Sequence, residues 1–93
     1  MEIEYTLYLN PKVIKVDLPR LDSATRKQIR DVVRQKLTTA PDVYGKPLQQ
    51  DLKGCRRLRV GDYRVVFQIQ KKQVHVLAIV HRSSNYKGVG KRI

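Results

Sequence analysis

The chain is short of acids, of cysteine and of long apolar runs, and each shortage removes a class of function. Eight Asp and Glu stand against 20 Lys and Arg, a formal net charge of +12 over 93 residues. Within residues 51 to 93 the acids are Asp51 and Asp62 alone, too few for the carboxylate cluster that would hold Mg²⁺. Neither a metal site nor a cofactor is expected. The single cysteine, Cys55, excludes an internal disulfide and offers no thiolate pair to a metal, which fits a reducing compartment. Free cysteine is commonly buried, so Cys55 is expected half-hidden on a strand. No stretch approaches the roughly 18 apolar residues of a transmembrane helix. The opening MEIEYTLYLNP lacks the basic and apolar regions of a secretory signal. The expectation is a cytoplasmic protein with no membrane partner.

What is present is positive charge, unevenly spread. Residues 1 to 50 carry nine Lys/Arg and six Asp/Glu, whereas residues 51 to 93 carry eleven and two. Such a balance repels itself in the folded state and points to a polyanionic partner, either nucleic acid or an acidic protein segment. The length suits one domain spanning residues 1–93 with one modest core.

Alternation opens the chain. Ile3, Tyr5, Leu7 and Leu9 share one side and Glu2, Glu4, Thr6 and Tyr8 the other, the pattern of a half-buried strand. Asn10 and Pro11 are suited to start a short helix as N-cap and first residue, which Pro19 should stop near Leu18. LDSATRKQIRDVVRQKLTTAP then reads as a long helix capped by Asp22 or Ser23, with an apolar stripe of Ile29, Val32, Val33 and Leu37, closed by Pro41. Lys27, Arg30 and Arg34 form a basic stripe on its other side, by default a solvated face. PDVYGKPLQQDLKG follows as a loop, and the chain has no repeats or low-complexity tract.

From Cys55 the period is two. Gly61-Asp62 and Lys71-Lys72 suit two-residue hairpin turns. Register then follows: Arg59 faces Arg64, Arg57 faces Val66, Arg64 faces Ile79, Val66 faces Leu77 and His75 faces Gln68. Facing residues share a side of the sheet. One side collects Leu58, Val60, Tyr63, Val65, Phe67, Ile69, Val74, Val76, Ala78 and Val80, to pack on the helices. The other collects Arg57, Arg59, Arg64, Val66, Leu77, Ile79 and His81, a basic face with an apolar floor.

Three arginines and a histidine with no acid among them suit phosphate binding. The tail HRSSNYKGVGKRI brings His81, Arg82 and Tyr86 to the edge of the same face. These are parts for RNA cleavage without a metal: a base for the 2′-hydroxyl, cations for the phosphorane, an acid for the leaving 5′-oxygen and an aromatic ring to stack on a splayed base. Arginine stays charged, so its part is electrostatic. The proton-transfer candidates are His81 first and Lys53 second, with His75 read as a surface histidine. Arg56, Arg59, Lys87, Lys91 and Arg92 complete the expected RNA-binding surface.

The order of parts resembles the RelE/ParE superfamily of bacterial and archaeal toxins, in its RelE-type branch. The resemblance rests on PL…L.G…RLRVGDYRVVFQI and on AIVHRSSNYKG, and it covers essentially the whole chain. It implies a small α+β RelE-like fold: an N-terminal strand, two helices, an antiparallel sheet of three further strands and a short C-terminal tail. It also implies an mRNA endoribonuclease working in the ribosomal A site, held in check by an acidic RelB-like antitoxin that folds on binding, with operator DNA reached only through the antitoxin complex. By the same resemblance Arg64 stabilises the transition state, Arg57 is the basic residue of the preceding strand, Arg82 is the C-terminal catalytic arginine, Tyr86 positions or stacks on the nucleotide, and His81 aligns near the general acid or base. Members with strong nuclease activity carry a lysine pair where this chain has Cys55 and Arg57, so Lys53 or His81 has to substitute. The floor of Val66, Leu77 and Ile79 and the basic helix stripe would suit the antitoxin. A gyrase inhibitor of the ParE branch and a non-catalytic nucleic-acid-binding relative are the alternatives.

Overall fold

The structure, a computed structural model, describes residues 4–48, 54–84, 86 and 88–92. Strand β1 (Thr6–Leu9) begins it. Asn10 then takes the capping role, its side-chain oxygen accepting the Lys12 N–H at 2.9 Å. The chain next winds as a π-helical turn over Val13–Asp17 and a 3-10 turn over Leu18–Arg20. Helical geometry thus runs through Pro19, beyond the expected stop at Leu18. The wide turn points Val13 and Asp17 inward, both buried.

Helix α1 (Ser23–Leu37) is capped by Asp22, whose carboxylate accepts the Thr25 N–H at 2.7 Å. Ile29, Val33 and Leu37 are its buried stripe and Val32 packs at the margin. Pro41 does not close this helix; it starts a one-turn helix, α2 (Pro41–Tyr44). Gly45 follows, so close to the Phe67 ring that a Cβ there would lie 2.2 Å from Cζ.

Among the described residues five strands form one sheet in the order β1-β5-β4-β3-β2. The expected loop contributes β2 (Lys46–Pro47), paired with β3 (Arg56–Val60). The hairpins of β3, β4 (Tyr63–Gln70) and β5 (Gln73–His81) turn at Gly61-Asp62 and Lys71-Lys72 as expected. β1 lies parallel to β5, with Tyr8 opposite His75. The sheet therefore differs from the N-terminal strand and antiparallel sheet of three further strands read from the sequence: it is mixed, because β1 pairs parallel to β5, and it gains β2.

Register explains the one inversion. Arg59 faces Arg64 and Arg57 faces Val66, as the turn arithmetic gives. Between β4 and β5 it holds from the second turn to Phe67 opposite Val76, then shifts: Val66 faces Ala78 and Arg64 faces Val80. Leu77 is the extra residue of a β-bulge, which flips every later side chain. Ile79 consequently joins the main core of Val13, Leu21, Ile29, Val33, Leu37, Leu58, Val60, Val65, Phe67, Val74 and Val76. Ala78 and Val80 move to the opposite face. There Cys55, Val66, Leu77 and Ala78 make a second, smaller cluster under Val89 of the terminal 3-10 turn (Val89–Arg92).

Candidate nucleic-acid interface

The face of the sheet away from α1 starts as a row of cations. Pairing places Lys46 opposite Arg57 and Arg59 opposite Arg64, so four positive side chains share one side of three adjacent strands. Directly opposed like charges cost some tenths of a kcal/mol per pair or more. Tyr86 reduces that cost: its hydroxyl accepts from Arg64 Nη1 at 3.2 Å and, at the long limit, from Arg57 Nη1 at 3.5 Å. The Arg64 guanidinium also lies 5.8 Å from the Tyr86 ring centroid. A phenol oxygen whose lone pairs are engaged in this way keeps its own O–H to donate outward.

Tyr86 reaches this position through a backbone that ordinary side chains avoid. Its φ is 59°, a left-handed conformation that costs about 1–2 kcal/mol in a non-glycine residue. Strain of this kind persists where the surroundings over-determine it, and here the tail is anchored on both counts. Val89 is buried against Val66, Leu77 and Ala78. Arg92 makes a two-pronged pair with Asp17, at 2.6 Å and 3.1 Å, and also donates to the Leu77 carbonyl at 3.1 Å. The same Asp17 carboxylate accepts the Ile79 N–H at 2.9 Å. One buried acid thus serves both the bulge and the tail that carries Tyr86.

The cationic row opens into a cavity of about 330 Å³ lined by Lys36, Tyr44, Lys46, Arg57, Arg59 and Arg64 with the edge of Leu58. Among the described residues no acid lines it, so it is suited to anions. Cys55 sits beneath the same face, 1% exposed, and burial pushes its thiol pKa up. That is the behaviour of an inert packing residue rather than a nucleophile.

Other residues singled out from the sequence lie elsewhere. The bulge carries His81 to the helix side, where it faces Tyr63 edge-on at 5.3 Å and its Nδ1 shares a hydrogen bond with Ser83 at 2.8 Å. Arg82 extends from the sheet end toward Asp62, 3.7 Å away, with both side chains largely exposed. Arg56 points to the helix side and donates to the carbonyls of Gly45 and Asp42. Arg92 is committed to Asp17, while Lys91 is exposed in the terminal turn. Lys53 and Lys87 lie outside the described residues. The floor of Val66 and Leu77 is roofed by the chain's own Val89, and Ile79 is on the other side, so the apolar floor is not open to a partner as the sequence suggested. Sequence reasoning missed Lys46 and Asp17. The first sits in a two-residue strand with a proline, the second in a helical stretch where an acid looks solvated. Among the described residues no three His, Cys, Asp or Glu side chains gather as metal ligands, and no helix is long and apolar enough to cross a membrane.

The family model for the ParE toxin of the type II toxin-antitoxin system parDE matches residues 9–86. A curated relative, Toxin RelE of Mycobacterium tuberculosis, is 37% identical over 73 residues, 76% of this chain and 75% of the relative. Among solved structures, the toxin-antitoxin complex RelBE2 of the same species contains a chain with a TM-score of 0.80 at 26% identity, covering 88% of this chain and 95% of that one. A mutant of the E. coli toxin RelE in the free state has a TM-score of 0.68 at 20% identity over 97% and 98% of the two chains, a likeness of fold.

Proposed function

The chain belongs to the RelE/ParE superfamily of toxins of type II toxin-antitoxin systems, and from that premise we propose that it is a ribosome-dependent mRNA endoribonuclease. The observation that carries the proposal is the convergence of Arg57, Arg64 and Tyr86 on one face, beside a cavity that no acid lines among the described residues. In this reading the 2′-hydroxyl of one nucleotide attacks the adjacent phosphorus, a phosphorane forms and the 5′-oxygen leaves. Arg64 and Arg57 stabilise the extra negative charge. The phenol of Tyr86 donates toward the phosphate or the leaving oxygen. The 2′-hydroxyl proton passes to an unprotonated lysine amine: Lys46, which stands opposite Arg57, or Lys53, a candidate from the sequence alone because it lies outside the described residues. Arg59 and Arg82 hold neighbouring phosphates and Lys91 extends the track, with Lys87, outside the described residues, assigned to it from the sequence alone. So small a sheet grips little of the message, and the ribosome supplies the orientation.

The partner in this reading is an acidic, RelB-like antitoxin that folds on binding. The groove between α1 and β1 suits it. That groove holds about 330 Å³, is floored by Leu7, Leu9, Leu18, Ile29, Val33, Val76 and Ile79, and is rimmed by Arg26, Arg30 and Arg34.

The test is induced expression in a cell lacking the antitoxin, with primer extension on a translated message and an untranslated control, for wild type beside Arg64→Ala. Cuts confined to the translated message and lost in the variant support the proposal. Growth arrest without cuts would move the assignment to gyrase inhibition, and the absence of arrest to a binding protein.

A further inference from the structure

The cationic row covers only one end of the open face. Four residues further along β4, about 13 Å at strand rise, the chemistry becomes neutral. Tyr8 and His75 stack with ring centroids 5.1 Å apart and planes within 15°, on the side of the sheet shared with Gln68, which faces His75. Tyr8 is 45% exposed although it stands on a strand whose other side is core. Together with Asn10, Gln68 and Gln70 the pair lines a cavity of about 300 Å³. Among the described residues the one Lys, Arg, Asp or Glu at its wall is Arg92, already engaged with Asp17.

In a chain carrying 20 Lys and Arg, a recess walled by two stacked rings and side-chain amides is not built for phosphate. Stacked rings offer a flat apolar face. Gln68 donates to the Cys55 sulfur at 3.6 Å, which leaves its carbonyl oxygen to accept, and Gln70 is exposed at the rim. A planar, neutral group with hydrogen-bonding edges fits that surface, as an unpaired nucleobase does. Beyond it the β4–β5 turn returns to charge with Lys71 and Lys72, both exposed. Along β4 the order is therefore cation, neutral ring platform, cation, the alternation of a single strand whose phosphates and bases are held in turn.

We propose that Tyr8 and His75, with Gln68 and Gln70, form a base-binding subsite for single-stranded RNA, a few nucleotides from the phosphate held by Arg57 and Arg64. The inference rests on the nucleic-acid reading of the face, but it makes its own claim about which residues touch a base.

The experiment is an NMR titration of the full chain with hexaadenylate, followed at the ring protons of Tyr8, His75 and Tyr86, with an abasic oligoribonucleotide of the same length as the phosphate-only probe. Hexaadenylate should shift the Tyr8 and His75 rings saturably, and the abasic strand should move Tyr86 while leaving those rings in place. Tyr8→Ala should weaken hexaadenylate about tenfold, within the range for losing one stacked base, and leave the abasic strand unaffected. Tyr8→Phe should retain binding. Rings that stay unmoved with hexaadenylate, whether or not Tyr86 responds, overturn the subsite, as does an equal response to the abasic strand. So does a response only to an acidic peptide, which would make the platform a protein contact. Base binding here without cuts in the translated message would sink the nuclease reading and leave the subsite standing. Cuts that depend on Arg64, beside a silent Tyr8 and His75, would do the reverse.

Discussion

Replacing Arg92 with alanine removes two charge-assisted hydrogen bonds from a carboxylate that is 7% exposed, leaving Asp17 with the Ile79 N–H as its remaining donor among the described residues. Breaking a buried pair by deleting one partner costs about 3–5 kcal/mol. Arg92 itself retains 15% side-chain exposure and belongs to the last described turn, so lifting of the tail lets water reach the stranded carboxylate and puts the loss near the lower end, ~3 kcal/mol. For a domain of this length each kcal/mol moves Tm by about 4–8 °C, which gives a drop of about 12–24 °C. The double variant Asp17→Asn/Arg92→Ala should recover part of that, because the amide oxygen still accepts from Ile79 while the buried charge is gone. Thermal unfolding followed by circular dichroism of the three proteins reads both numbers. An Arg92→Ala protein melting within about 2 °C of wild type would be well under one kcal/mol and would refute the claim that this pair anchors the tail.

Gly45→Ala drives a Cβ to 2.2 Å from Phe67 Cζ and 3.0 Å from the Pro41 carbonyl. Phe67 is fully buried, so overpacking should cost about 1–3 kcal/mol, read as a lower urea midpoint; an unchanged midpoint would show that the ring gives way freely. The buried Cys55 thiol should resist alkylation in the native protein and react on unfolding. Because its folded pKa is raised, its contribution is full below the unfolded thiol range and is lost as pH rises through the folded value. Wild type should therefore lose more stability than Cys55→Ala between neutral and alkaline pH, and parallel losses would contradict this. The Asp22 carboxyl is held below its ordinary value by hydrogen bonds from Thr25, so its stabilisation is present above the unfolded carboxylate range and disappears as pH falls through the folded value. The stability gap between wild type and Asp22→Ala should close toward acid pH.

What the sequence revealed and what it hid follow from the range of the forces involved. Both hairpin turns were legible because Gly61-Asp62 and Lys71-Lys72 act locally, and the pairing of Arg59 with Arg64 followed by counting. The bulge at Leu77 was not, because its backbone is held by Arg92, 15 residues on, and its neighbour Ile79 by Asp17, 62 residues back. That single extra residue moved Ile79 and His81 to the helix side and exchanged them for Ala78 and Val80. β2 escaped notice because two residues including Pro47 carry no period, so Lys46 could not be seen as part of the cationic row. The existence of β1 was written in its alternation, but its parallel placement beside β5, which brings Tyr8 onto His75, is a tertiary choice. That Arg57, Arg64 and Tyr86 would share one face could be read from the sequence, because the hairpin and the tail motif survive the bulge.

The most direct test of the account is cleavage of ribosome-bound message by purified protein under single-turnover conditions, comparing wild type with Arg64→Ala and His81→Ala. The account predicts that Arg64→Ala lowers the rate by about 10²-fold or more, the scale for losing a transition-state donor, and that His81→Ala, on the helix side of the sheet, stays close to wild type. A His81→Ala protein that no longer cuts, beside an Arg64→Ala protein that does, would contradict it.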